Sequence, residues 1–191
     1  MLKNLYLGLV HFPIKNKRGE LVTTSVTNLD IHDIARSCKT FGVEKYFIVT
    51  PLKKQKDLVS RILGHWETDK ASDYNPDRMN ALSDVEVSES VRSVISRINY
   101  IEGQPPKVIT TGANYTEFSG KVDWVINEVR RLDNPPCLLL FGTGWGLHKE
   151  LDDLIDYRLE PIYGSPNGYN HLSVRSAVAI YLDRFSQKLN D

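Results

Sequence analysis

Three groups of residues in this 191-residue chain have types and spacing suited to chemistry. The first is Gly142-Thr143-Gly144-Trp145-Gly146-Leu147, which follows the apolar run Cys137–Phe141 directly. Three alternate glycines remove side chains where the chain leaves a buried strand, so backbone N–H and C=O groups can approach a flat ligand such as a nucleoside. A second turn, Gly164-Ser165-Pro166-Asn167-Gly168-Tyr169-Asn170, follows the next strand and leads into a long apolar helix. Two such loops after successive strands predict a ligand cradle, although each alone is compatible with an ordinary turn. The second group is the start of that helix, His171-Leu172-Ser173-Val174-Arg175-Ser176-Ala177. It has small residues for close packing and an apolar surface nearly all the way round, which predicts a subunit interface over a monomer core helix. His171 by itself reads as a cap or a core histidine. The third group is Asp30, His32, Asp33 and Arg36 on an earlier helix. Its apolar stripe faces the core, so Arg36 faces outward, suited to a phosphate. On spacing alone an Asp33–Arg36 ion pair is the simpler reading.

Charge bears on which ligands such a cradle takes. Net charge is zero, yet residues 1–65 hold eleven Lys/Arg against five Asp/Glu, and the remainder is acidic by the same margin. Clusters at Lys15-Asn16-Lys17-Arg18 and Lys53-Lys54-Gln55-Lys56 fit a phosphate-facing surface or a solvated one. No apolar stretch nears the roughly 18 residues of a membrane span, and the N-terminus lacks the pattern of a signal peptide. Cys38 and Cys137 lie far apart in apolar contexts and read as reduced core residues, in keeping with the cytoplasm. None of the five histidines falls in a ligand pattern, so no metal is expected.

The elements that position these groups alternate between strand and helix. Strands are predicted at Leu5–Phe12, Lys45–Thr50, Leu82–Val87, Pro106–Thr111, Cys137–Phe141 and Arg158–Ile162. Helices are predicted at Thr27–Phe41, Leu52–Leu63, Ser88–Ile101, Lys121–Leu132, Leu147–Ile155 and His171–Leu189. Residues 13–26 read as a polar loop, and 65–81 as a long irregular segment, either a lid or an insertion. The alternation predicts one α/β domain over residues 1–191, with a mostly parallel sheet of about six strands covered by helices on both faces.

Ligands in open α/β sheets bind beyond the carboxyl ends of strands. Three such ends are Val108–Asn114, Phe141–Leu147 and Leu159–Gly164. They nominate Thr110, Thr111, Gly112, Phe141, Gly142, Thr143, Gly144, Gly146, Ile162 and Gly164 to border the ligand, with Leu147, Ile162 and Leu172 packing its faces. A nicotinamide site competes with this reading. The glycine spacing is G-x-G-x-G, one residue short of the dinucleotide fingerprint, but Glu160 stands about where an acidic ribose ligand belongs.

Taken together, these residues resemble the SPOUT superfamily of S-adenosylmethionine-dependent RNA methyltransferases over nearly the whole chain. The helix Asp30–Val43 is similar to the family's N-terminal motif, which carries an Asn six residues before an Arg. Arg36 matches the Arg, and Asp30 stands in place of the Asn. Pro161-Ile162-Tyr163-Gly164 and Leu172-Ser173-Val174 look like the last motif, with Ser173 for its usual Asn. The match is closest to a small bacterial branch sometimes fused to a tRNA (guanine-N1) methyltransferase.

The resemblance implies a C-terminal trefoil knot, an obligate homodimer and S-adenosylmethionine bent in the knot. The substrate implied is tRNA or rRNA, methylated on ribose or base. It adds Glu160, Pro161, Asn170, His171 and Ser173 to the cofactor site, and implies catalytic roles for Arg36, Asp30 and Ser173. Arg36 would position a phosphate or assist deprotonation, with the partner subunit as one source of it. Two other readings stand beside it: a nicotinamide-dependent oxidoreductase, and a non-catalytic RNA-binding dimer on the same fold.

Overall fold

The protein was analysed as a computed structural model that describes residues 4–66, 75–166 and 168–189. Strands are β1 (Leu5–Val10), β2 (Ile14–Lys15), β3 (Leu21–Val22), β4 (Lys45–Val49), β5 (Val85–Ser88), β6 (Lys107–Thr111), β7 (Cys137–Gly142) and β8 (Tyr157–Arg158). Helices are α1 (Asn28–Thr40), α2 (Lys53–Trp66), α3 (Pro76–Leu82), α4 (Val91–Glu102), α5 (Val122–Arg131) and α6 (Val174–Leu189). A short 3-10 helix spans Lys149–Leu154.

Six strands form one parallel sheet in the order β5-β4-β1-β7-β6-β8. Numbered by their succession in the chain, its strands run 3-2-1-5-4-6. A dinucleotide-binding sheet runs 3-2-1-4-5-6, so the two strands beyond the centre are exchanged. That exchange puts β7 and its glycine loop beside β1, with registers Leu5↔Cys137 through Val10↔Gly142.

The strands alternate between two cores. Leu5, Leu7, Leu9, Ile48, Ile109, Leu139 and Phe141 face α1, α5 and α6. Tyr6, Val10, Phe47, Val49, Leu138 and Leu140 face α4 and Leu151 of the 3-10 helix. Near-continuous burial along β1 and β7 follows from helices covering both faces. Gly8 sits at the centre because a Cβ there would lie 2.6 Å from Leu140 Cδ2. α1 starts at Thr27, whose hydroxyl accepts from the Asp30 N–H at 3.2 Å and donates to Asp30 Oδ2 at 2.6 Å.

The expected elements are present with shifted ends, and three segments differ. Residues 13–26 contain a hairpin, β2 paired antiparallel with β3, in place of a plain loop. Asn16 Oδ1 accepts from the N–H groups of Arg18 and Glu20, and Gly19 takes a positive φ of 79°, so the tip is a built turn. Within 65–81, α2 continues through Trp66 and α3 begins at Pro76, capped by Asn75. Both were hidden by polar composition, and the reading of this segment as a lid falls largely on 67–74, outside the described residues. The last strand, expected at Arg158–Ile162, is Tyr157–Arg158, because from Leu159 the chain turns from β6 to bridge with Gly120.

Candidate functional site

A cleft of about 580 Å³ opens beyond the carboxyl ends of β6 and β7. That size suits a nucleoside-sized ligand. Its floor is Thr111-Gly112 and Phe141-Gly142, one wall is the glycine loop, and the facing wall is Ile162 with Asn170-His171-Leu172. Lys15, Thr24, Ser25, Asp30 and Arg175 close the remaining side.

The glycine loop has its shape because no side chain fits within it. A Cβ on Gly142 would lie 2.8 Å from the Leu147 nitrogen and 3.0 Å from the Gly146 carbonyl carbon. Gly144 and Gly146 take φ of 57° and 101°, which favour glycine. β2 then runs alongside the loop. Lys15 N–H donates to Gly146 O at 3.0 Å, Trp145 N–H donates to Lys15 O at 3.2 Å, and Ile14 bridges to Leu147. The hairpin is therefore a fixed wall of the cleft.

A polar chain underlies this wall. Thr143 Oγ1 donates to Val10 O at 3.0 Å, Thr24 Oγ1 bonds Thr143 Oγ1, and His11 Nδ1 lies 3.1 Å from Thr24 Oγ1. Each hydroxyl has one proton. Thr143 spends its proton on Val10, so Thr24 donates to Thr143 and His11 Nδ1 carries the hydrogen towards Thr24. The buried His11 Nε2 is then a bare acceptor with no partner among the described residues. Burial holds the imidazole neutral, with its pKa lowered to about 4.

Asp30 reaches the cleft from α1, where Arg175 Nη1 meets its Oδ1 at 2.7 Å. Arg175 Nε also lies 3.6 Å from Asp33 Oδ2, so Asp33 faces Arg175 where the spacing pointed to Arg36. The pair joins the first turn of α1 to the first turn of α6. Asp30 is buried and Arg175 about one-third exposed. Removing Arg175 strands the carboxylate, whereas Asp30→Asn leaves a guanidinium that water can reach. Arg175→Ala is expected to lose about 2 kcal/mol in urea unfolding, more than Asp30→Asn, with the double variant recovering part of the loss. Additive losses would show that the two side chains are not coupled.

The fold brings together Thr111, Gly112, Phe141, Gly142, Thr143, Gly144, Gly146, Leu147, Ile162, Asn170, His171 and Leu172, with Asp30, around one cleft. It places the other expected residues outside the lining. Thr110 is buried beneath, accepting from Tyr115 OH at 3.1 Å. Glu160 holds the chain through its backbone, its N–H to Gly120 O and its carbonyl to Tyr181 OH. Pro161 is buried behind Ile162, and Gly164 is exposed. Ser173 Oγ accepts the Ser176 N–H at 3.2 Å and caps α6. Arg36 is exposed on α1.

Sequence reasoning did not nominate Lys15, Thr24, Ser25, Tyr115, Trp145, Arg175 or Tyr181, all of which line the cleft. Arg175 carried a signal, a charge among the small and apolar residues of a first turn. Tyr115 carried another, three residues after Gly112, where a Cβ would meet its ring at 2.9 Å.

These residues fit S-adenosylmethionine: a side-chain-free cradle for backbone contact, apolar faces from Leu147, Ile162 and Leu172, and charged groups at one end. The sequence matches a family described as SAM-dependent RNA methyltransferase over residues 4–187. It is 37% identical over 182 residues to an uncharacterized protein of Aquifex aeolicus, covering 95% of this chain and 88% of that one. It is 45% identical over 183 residues to a tRNA (guanine-N(1)-)-methyltransferase of Oleidesulfovibrio alaskensis, covering 95% of this chain and 42% of that protein, so it spans less than half of that relative. Among solved structures, the Aquifex aeolicus TrmH/SpoU tRNA modifying enzyme superposes with a TM-score of 0.58 at 16% identity, covering 98% of this chain and 76% of that one. That likeness gives the fold, an α/β sheet covered by helices on both faces. With the family matched from the first described strand to the last helix, the chain belongs to the S-adenosylmethionine-dependent RNA methyltransferases.

Proposed function

We propose that the cleft holds S-adenosylmethionine between the glycine loop and the wall of Ile162 and Asn170–Leu172, and that the acceptor is a nucleotide of a structured RNA, tRNA before rRNA. The observation that carries this reading is the convergence of the glycine loop, Gly112, Ile162 and Asn170–Leu172 on one cleft. When bound, the cofactor supplies a methyl group already activated by its positively charged sulfur. Leu147, Ile162 and Leu172 pack the faces of the adenine, and the backbone at 111–112 and 142–146 meets its edges. Asp30 and Ser173 act by position, since the carboxylate is engaged by Arg175 and Thr27, and the hydroxyl by Ser176.

The Oleidesulfovibrio relative supports tRNA as the substrate class. Its name covers a protein more than twice the matched length, so guanine N1 is not carried over to this chain. We place the protein in the cytoplasm as one domain with a C-terminal knot. Two buried free cysteines and the family's RNA substrate support that placement.

Arg36 lies outside the cleft of its own subunit, so its role requires a homodimer in which it faces the partner's cleft. Exposed Leu29 on α1 and Leu172 at the start of α6 support an interface there, as do half-buried Ala179 and Ile180 on α6.

In calorimetry, micromolar S-adenosylmethionine binding without NAD binding is the expected result, and NAD binding alone would defeat the reading. Arg36→Ala is expected to keep that affinity and lose about 100-fold in turnover on its RNA. Co-expressed with Gly142→Ala, it is expected to regain about a quarter of wild-type activity, because half of the dimers then hold one complete site. Absence of rescue would place Arg36 outside a shared site.

A further inference from the structure

The mouth of the cofactor cleft carries a row of aromatic rings beside uncompensated cations. The Trp145 and His171 ring centroids lie 6.4 Å apart at an interplanar angle of 78°, and those of His171 and Tyr169 lie 5.6 Å apart at 64°, so the rings meet edge to face and each keeps its own face. Trp145 is 41% exposed and Tyr169 69%. Lys17 Nζ sits over the Trp145 ring at 5.9 Å, carried there by the β2–β3 hairpin. Arg18 follows at the exposed hairpin tip. The acidic residue of the tip, Glu20, accepts from Asn16 Nδ2, and none of the described ion pairs engages Lys17 or Arg18.

The second basic cluster of the sequence lies at the same end of the sheet, beyond the carboxyl ends of the strands. Lys53, Lys54 and Lys56 occupy the first turn of α2, which follows β4. The neighbouring Gln55 ties α2 to the hairpin's return, with Nε2 donating to Thr24 O at 3.1 Å and Oε1 accepting from Val26 N–H at 3.3 Å. Lysines in a helix's first turn oppose the macrodipole, so local helix stability does not account for them.

We infer that the exposed Tyr169 ring, buttressed edge-on by His171 and Trp145, offers a stacking face for an unpaired nucleobase of the RNA, and that Lys17 and Arg18 hold the adjoining backbone phosphates. Aromatic faces accept any base, and cations follow the phosphates, so the combination matches a single-stranded segment of RNA better than an apolar protein surface. The rings begin at the cleft itself, since Trp145 and His171 line it. A base held there lies next to the cofactor cleft, and the phosphates on its flank fall under the hairpin. The hairpin thus serves two ends, as wall to the cofactor and as clamp to the acceptor strand. This inference rests on the proposed methyltransferase reading of the cleft.

The test measures binding of unfractionated bacterial tRNA to the full chain, with S-adenosylhomocysteine present, over a range of salt concentrations. Lys17→Gln/Arg18→Gln is expected to lower the slope of log affinity against log salt by about 1.5, the share of two phosphate contacts. Tyr169→Ala is expected to weaken tRNA binding roughly tenfold, the loss of one stacked base. Both variants are expected to bind S-adenosylmethionine and to sediment as the wild type does. Unchanged tRNA affinity and slope in both variants would overturn the inference, as would wild-type protein that binds S-adenosylmethionine but no tRNA. A Tyr169→Ala variant that sediments as a smaller species than the wild type would assign the aromatic row to a second copy of this chain, and also overturn it. Wild-type protein that fails to bind S-adenosylmethionine defeats the reading of the cleft, and the inference with it.

Discussion

Gly142→Ala is expected to weaken cofactor binding by about 100-fold or more while leaving the protein folded. The added methyl would sit 2.8 Å from the Leu147 nitrogen and about as close to Gly146, all of it backbone with no rotamer to yield. Gly142 is itself held in register with Val10 of β1, so the strand cannot retreat. The loop must move outward, and it cannot move alone, because β2 is bonded to it at Gly146 and Trp145. Relieving such overpacking costs about 1–3 kcal/mol of stability. A displacement of the order of 1 Å in positioning groups lowers binding or rate by about 100-fold. Calorimetry with S-adenosylmethionine should therefore show at least that loss, while circular dichroism keeps the wild-type spectrum. Gly64→Ala is the matched control: its Cβ meets nothing within 4 Å, and the change removes a helix-interior glycine, expected to raise stability by about 0.5–1 kcal/mol. Wild-type cofactor affinity in Gly142→Ala would mean that the ligand does not use this loop.

Periodicity made most of the frame readable. Ile31, Ile34, Ala35 and Cys38 fall on one helical stripe and are all buried in α1. The unbroken apolar run Cys137–Phe141 is buried, as a strand covered on both faces must be. The order of strands was not readable, since helices of similar length can return β7 to either side of β6. The hairpin was missed because its strands are two residues long and its tip is polar. What fixes it is pairing to a glycine loop more than a hundred residues later, which no local pattern reports. α3 was missed for a related reason: a seven-residue helix after a polar stretch shows too little of its stripe, although Asn75-Pro76 is a cap followed by a first-turn proline.

The site divides along the same line. Glycines and the two loops announced the cradle, because removing side chains leaves a mark in composition. Thr110 was on the right strand but turned inward, as alternate strand positions must. Ser173 looked like a ligand contact and is a helix cap, a common use of serine just before a helix. Asp30 and Arg175 lie 145 residues apart, and only folding shows that one answers the other. The departure of Asp30 from the family's asparagine then has a physical companion: the cleft carries an arginine that a neutral residue would leave without its buried partner.

The second large effect is a loss of stability in acid that traces to His11. Its imidazole is fully buried, and desolvation lowers its pKa to about 4, with Asp30 opposing the shift. Unfolded, the ring titrates near 6.5. Between those values the unfolded chain takes up a proton that the folded chain refuses. Stability is therefore complete above about pH 6.5, falls as the pH is lowered, and has lost this contribution below about pH 4. The difference between the two pKa values corresponds to about 3 kcal/mol. The hydrogen-bond chain explains why the folded state refuses the proton. Nδ1 already donates to Thr24, so a second proton would sit on Nε2, which has no acceptor among the described residues. His11→Asn keeps a donor near the Nδ1 position and does not titrate. Urea unfolding at pH 7 and pH 4.5 is expected to show a fall in the wild type that exceeds the variant's by about 2 kcal/mol. Equal falls would assign the acid sensitivity to other groups. Because Thr24 and Thr143 connect His11 to the glycine loop, cofactor affinity is expected to fall over the same pH range in the wild type and to stay flatter in the variant.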